Sequence, residues 1–220
     1  KGQVFLKIDG NYNFTRKLRI FGSYDINIDN NFDLKRDSNS SLAHVRTDIN
    51  QYLVKGASGL ESLYLELLSN PIEGVYFRTY AGILETMYSG LGSEILYQPY
   101  KSRIALGATI NRVIKRGFER NFDHLDYMST TAFLSLFYAS PFYNYDFALH
   151  FGRYLAKDVG ATFEVRRSFN NGFTIGAYAT FTNVSAEQFG EGSFDKGIYL
   201  RIPFDIYINQ NTKTAIPILI

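Results

Sequence analysis

The chain contains no cysteine and no tryptophan, only five prolines and two methionines, and no marked excess of either charge. Without cysteine no disulfide framework can form, and the redox compartment is left open. A net charge of +2, carried by scattered lysines and arginines, excludes the clustered basic footprint of a nucleic-acid binder. No stretch approaches the roughly 18 apolar residues of a spanning helix, so a membrane role would have to use strands. The sequence opens at Lys1 with neither methionine nor an apolar leader, as expected of a mature segment or an excised piece.

What is present in quantity is aromatic: 17 tyrosines and 19 phenylalanines, with 18 glycines, in 220 residues. Aromatic and β-branched side chains fit a pleated surface, so the composition points to a β-rich chain. Apolar and polar residues alternate with period two. Tyr145, Phe147, Leu149 and Phe151 interleave with Asp146, Ala148, His150 and Gly152. Ala161, Phe163 and Val165 interleave with Thr162, Glu164 and Arg166, and Ile175, Ala177, Ala179 and Phe181 with Gly176, Tyr178 and Thr180. The set Ile198, Leu200, Ile202, Phe204, Ile206 alternates with Tyr199, Arg201, Pro203, Asp205 and Tyr207. Looser versions run through Val4–Ile8, Leu18–Ile28 and Ile104–Ile110. Period two gives each strand one oily face and one polar face. No helical stripe of comparable length occurs.

Turn-forming clusters separate these runs at Lys55–Gly59, Ser69-Asn70-Pro71, Ser140-Pro141 and Asn170-Asn171-Gly172. Asn171-Gly172 between two alternating runs is a strong hairpin signal. The expected fold is all-β: an antiparallel up-and-down meander of about twelve strands over residues 1–220. That meander forms one region of a transmembrane outer-membrane β-barrel. Longer connections are expected near Asn30–Ala43, Gly117–Asp126 and Val184–Lys196. On this strand count the first falls at the opposite end of the sheet from the other two. A soluble β-sandwich also alternates. The barrel is favoured because several strands suit the ~9–11 tilted residues that cross a bilayer, and because aromatics crowd the strand ends. Those aromatics are Tyr52, Tyr97, Tyr100, Phe142, Tyr143, Tyr154, Phe169, Phe173 and Tyr207.

Three segments carry a family resemblance: Ala43 to Leu53 (AHVRTDINQYL), Gly152 to Thr162 (GRYLAKDVGAT) and Val184 to Phe204 (VSAEQFGEGSFDKGIYLRIPF). They resemble the YjbH/WbfB-type outer-membrane proteins of exopolysaccharide and group 4 capsule systems. Members of that family are much longer, so the likeness implies an internal or C-terminal-proximal portion, and Ile220 departs from the aromatic terminus usual for outer-membrane barrels. The resemblance implies a large barrel in the Gram-negative outer membrane that assists secretion of an anionic or neutral polysaccharide. Its implied partners are that polysaccharide, outer-membrane lipid and other secretion components. It brings no catalytic residues and no cofactor.

The polar strand faces supply the candidate contacts. Arg78, Arg103, Asp146, His150, Glu164, Arg166, Tyr178, Tyr199, Arg201 and Asp205 offer hydrogen bonds and ring faces to a sugar chain, as does Asn111. Phe5, Phe21, Phe133 and Phe137 also fall on that side and are expected to pack against something there. In the loop Glu187, Glu191, Asp195, a carboxylate pair or metal set would need oxygens converging on one point, and glycine-mediated turns explain the stretch without that. Asp25–Asp29 mimics the start of a calcium loop but has Asn30 where glycine is needed and Arg36 where the closing glutamate belongs. His44, His124 and His150 have no ligand spacing. No nucleophile elbow or phosphate loop occurs, so a non-enzymatic protein is expected. A general porin or scaffold without a glycan role, or a soluble carbohydrate-binding β-protein, are the competing classes.

Overall fold

In a computed structural model, residues 1–34, 45–185 and 195–203 are described, together with the backbone of residues 215–219. Twelve strands form one sheet in strict chain order. They are β1 (Gln3–Asn13), β2 (Leu18–Asn30), β3 (Gly59–Ile72), β4 (Val75–Ile83), β5 (Tyr88–Tyr97) and β6 (Ile104–Arg116). Then follow β7 (His124–Ala139), β8 (Tyr145–Arg153), β9 (Val159–Ser168), β10 (Thr174–Thr182), β11 (Lys196–Pro203) and β12 (Ala215–Leu219). Every neighbouring pair is antiparallel. The all-β meander is therefore as expected. Barrel closure is not seen among the described residues, since β1 and β12 stand at the two ends of the order.

Register sorts the side chains into two faces. On the apolar face, Leu65, Ala81 and Leu91 align on β3–β5, and Leu106 on β6 meets Leu136, which meets Leu149 and then Phe163 on β9. Among the described residues no second sheet covers this face. Leu134, Leu106, Ile110 and Phe151 are 66%, 51%, 55% and 56% exposed. Among the described residues twelve polar or charged and six hydrophobic residues are buried, and most of those on strands, such as Glu66, Lys115, Ser129 and Val113, lie on the opposite face. A sandwich seals its oily face against a second sheet, whereas among the described residues this face is left uncovered.

The connections correct two sequence expectations. Ser69-Asn70-Pro71 is not a turn but lies inside β3, where the register shifts between Ser69 and Ile72. A bulge tolerates the proline that a regular ladder would reject. The reversal occurs at Glu73-Gly74 instead, with Gly74 at φ 78°. Residues 45–55 also form no strand. Bends lead into a short helix, α1 (Ile49–Lys55), so a strand counted before the Lys55–Gly59 cluster shifts the parity. With it removed, the connections 31–58, 117–123 and 183–195 all leave the same end of the sheet. The end they share is the looped end of the sheet, and the opposite one is the turn end.

The stretch around α1 folds over the polar face at the looped end. Lys115 of β6 pairs with Asp48, Arg46 with Glu85 (2.8 Å), and the Tyr88 hydroxyl donates to the Val45 carbonyl at 3.0 Å. Tyr52, only 1% exposed, donates to the Arg116 carbonyl at 2.6 Å and clusters with Met87, Tyr88 and Val113. The Arg116 guanidinium is fully buried and donates to the carbonyls of Leu60, Glu85, Thr86, Arg120 and Asn121. Arg120 in turn pairs with Asp25 at 2.7 Å. These donors hold three connections to the sheet through backbone groups that would otherwise be buried without partners.

Aromatic side chains ring the turn end. Tyr97 ends β5, and Tyr100, Phe142 and Tyr143 sit in the adjoining connections at 78%, 68% and 76% exposure, with Phe169 beside them. Arg167 lies within 6 Å of the Tyr143, Tyr145 and Phe169 rings. Two sequence expectations fail here. Tyr52 is buried in the cap, and Tyr154 is half-buried at the looped end, bonded to Thr162 at 2.6 Å. Phe173 packs on Phe169 with ring centroids 5.6 Å apart. Tyr207 lies outside the described residues.

Candidate functional site

Direct cross-strand pairing assembles two polar clusters on the capped face. The first is a row across β2–β7 in which Arg19, Glu66, Tyr80, Gly92, Asn111 and Thr131 stand in line. Glu66 is 1% exposed and bridges two cations, Arg19 and Arg78, the latter at 2.5 Å. Arg78 reaches on to Glu94 at 3.1 Å and lies 4.5 Å over the Tyr80 ring. The Tyr80 hydroxyl donates to Asn111 Oδ1 at 2.6 Å, and the Asn111 amide donates to Thr131 at 3.3 Å. Gly92 leaves room for this arrangement, because a Cβ there would lie 2.1 Å from Asn111 Oδ1 and 2.7 Å from the Tyr80 ring and would push both aside.

A cavity of about 420 Å³ opens above this row. Tyr64 and Tyr80 form one wall, with centroids 6.5 Å apart, and Phe133 and Tyr154 form another at 4.9 Å. Arg46, Glu85 and Tyr88 close the side toward the cap. Of the phenylalanines expected on this face, Phe21 meets the Tyr64 ring at 5.5 Å and Phe137 the His150 ring at 5.6 Å, while Phe5 is exposed and lies beneath the Lys7 ammonium.

The second cluster lies on β8–β11 toward the turn end. Asp146 pairs with Arg166 at 2.9 Å, and the Tyr199 hydroxyl donates to Glu164 at 2.5 Å. His150 shares a 2.8 Å hydrogen bond with Ser135. Tyr178 stands directly opposite Glu164 in register. Arg103 joins Asp146, His150, Glu164 and Arg166 around a smaller hollow of about 240 Å³. Arg201 faces Thr174 from β11 and is exposed.

Of the residues expected from sequence, Arg103, Asp146, His150, Glu164, Arg166, Tyr178 and Tyr199 are thus brought together, while Arg78 belongs to the first cluster. Asp195 precedes β11 and its carbonyl accepts from Thr180 at 2.8 Å. Glu187, Glu191 and Asp205 lie outside the described residues. Among the described residues, no group of three His, Asp or Glu could hold a metal ion. The sequence reading missed Arg19, Tyr64, Glu66, Tyr80 and Glu94. Tyr64 and Glu66 were recoverable, since Leu63, Leu65 and Leu67 alternate with them as strictly as any strand in the chain.

Comparison with known proteins gives one family and one relative. The family described as exopolysaccharide biosynthesis protein, YjbH, matches residues 1–220. The uncharacterized lipoprotein YjbH of Escherichia coli (strain K12) is 36% identical over 211 residues, covering 91% of this chain. The chain spans only 30% of that relative's length. No solved structure matches the chain.

Proposed function

The chain belongs to the YjbH exopolysaccharide biosynthesis family, and from that premise we propose that it forms a wall of a Gram-negative outer-membrane β-barrel assisting export of an extracellular polysaccharide. The outward-facing apolar surface supports this reading most. An uncovered face carrying Leu106, Ile110, Leu134, Leu136 and Phe151 is a liability in water and an asset in lipid. Closure removes the exposed edges of β1 and β12, and strands beyond this chain or contributed by another copy would complete the ring. Exposed aromatics with neighbouring Arg167 and Lys101 at the turn end fit an interfacial girdle.

The role is a conduit or scaffold rather than an enzyme. The polar face would line the lumen, with the cap narrowing it at the looped end. Lipid meets one face, the polymer passes the other, and the remaining secretion components act beyond the barrel. The test is the triple variant Arg78→Ala, Arg166→Ala, Arg201→Ala in the full-length protein, with polymer output and small-solute uptake measured separately. Reduced polymer output at normal outer-membrane abundance supports the reading. Normal output with altered uptake of small solutes replaces it with a general porin.

A further inference from the structure

We propose that the cavity lined by Tyr64, Tyr80, Asn111, Thr131, Phe133 and Tyr154 is a saccharide subsite for an uncharged stretch of polymer. The inference rests on the export reading and deepens it by choosing between neutral and anionic chains. Three observations carry it.

The first is shape. A volume of about 420 Å³ falls within the ~300–1,000 Å³ of small-ligand sites. At Gly92 the row has no side chain of its own, so the Tyr80 ring and the Asn111 amide lie over it as part of the lining, and Tyr64, Phe133 and Tyr154 add further rings. Pyranose rings have an apolar face of C–H groups and a rim of hydroxyls, so they need flat apolar walls with polar groups at the edges. The tyrosine and phenylalanine rings supply the walls, and Asn111 and Thr131 supply a donor–acceptor rim.

The second observation is charge. Each cation near the cavity is already committed to a carboxylate: Arg46 to Glu85, Arg19 to Glu66, and Arg78 to both Glu66 and Glu94. Three positive and three negative groups cancel, and the central one, Glu66, is buried where its charge is least screened. A uronate or phosphate entering the cavity would have to break one of these pairs and would face the displaced carboxylate. Hydroxyl groups meet no such opposition. The second cluster repeats the balance, with Arg166 on Asp146.

The third is position. The cap passes beside the cavity, with Arg46 lying over Tyr88 at 5.4 Å and Tyr88 bonded to Val45. A chain moving along the polar face toward the looped end would pass beside this cap.

The experiment uses the full-length protein folded in detergent micelles, titrated with maltohexaose, cellohexaose, isomaltohexaose and tetragalacturonate under saturation-transfer NMR at low ionic strength. At least one neutral hexamer is expected to bind, with tetragalacturonate at least tenfold weaker. Tyr64→Ala should weaken that binding about tenfold, while Tyr64→Phe, which keeps the ring and tests for mere misfolding, should stay within about threefold. Asn111→Ala should weaken it severalfold. Tighter binding of tetragalacturonate, no binding by any neutral hexamer, or indifference to Tyr64→Ala would each overturn the proposal. If these fail while the triple arginine variant still lowers polymer output, export stands and only the neutral subsite falls. If polymer output is also unchanged, both fall.

Discussion

Placing a cation in the middle of the apolar face puts a number on the claim that lipid lies there. Leu134 on β7 is 66% exposed and sits between Ala108 of β6 and Phe151 of β8. Along β6 and β7 it lies midway between the pair Arg112–Thr130 and the pair Ile104–Tyr138. The eight residue-to-residue steps from Arg112 to Ile104 extend about 26 Å at ~3.3 Å per residue. At a tilt of about 40° that is a band of about 20 Å, close to the roughly 25 Å apolar belt of an outer-membrane barrel. Leu134 is therefore at the depth where arginine costs most. Leu134→Arg should destabilise the protein by about 2–4 kcal/mol when folded in lipid vesicles. That is a roughly 30- to 700-fold fall in the folding equilibrium. If the same leucine merely faced water, the change would stay within about 0.5 kcal/mol. Urea unfolding in vesicles, compared with Leu134→Ala to remove the effect of lost bulk, reads the difference. A cost below about 0.5 kcal/mol beyond the alanine variant would refute the lipid assignment.

Three further outcomes follow from the polar side. Glu66→Ala leaves Arg19 and Arg78 facing each other across an apolar gap; with their side chains 46% and 35% exposed, solvent screening limits the loss to about 2 kcal/mol in urea unfolding. Asp48→Ala removes the carboxylate paired with Lys115, whose side chain is 6% exposed, so amide exchange should accelerate across residues 45–56 while β7–β9 keep their protection. Burial, reinforced by the Asp48 carboxylate, raises the Tyr52 hydroxyl above the usual tyrosine range. A raised folded pKa means the neutral phenol is favoured, so its contribution is intact below about pH 10 and is lost as pH climbs beyond it. Cap exchange should therefore accelerate beyond its ordinary base-catalysed rise once the pH passes about 10, and less so in Tyr52→Phe.

The sequence made the sheet legible where alternation was strict and unbroken. From Tyr145 to Phe181 period two, with the Asn171-Gly172 turn, located β8, β9 and β10 and assigned their faces correctly. It misled at residues 45–55, where the Lys55–Gly59 turn cluster and Tyr52, taken as a strand-end aromatic, implied another strand. Those side chains are held by tertiary partners, Arg116 and Tyr88 among them, that lie far away in sequence. It also misled at Pro71, because a proline reads as a turn until a bulge is known to hold it. Half of the candidate site was visible for the same reason. Asp146, His150, Glu164 and Arg166 stand on cleanly alternating strands, and knowing their face was enough to group them. The Glu66 bridge needed register: only the pairings Arg19–Glu66 and Glu66–Tyr80 show that one carboxylate serves two arginines. Charge neutrality of the cavity follows from those pairings and not from composition.

The export role depends on which face of the sheet meets lipid. The absence of cysteine allows single cysteines to be introduced at Leu134, Ser135, Leu136 and Phe137 and labelled with a nitroxide in the membrane-inserted protein. Collision with dissolved oxygen should peak at 134 and 136, and collision with a water-soluble nickel chelate at 135 and 137. Chelate access at 134 and 136 equal to that at 135 and 137 would contradict the account.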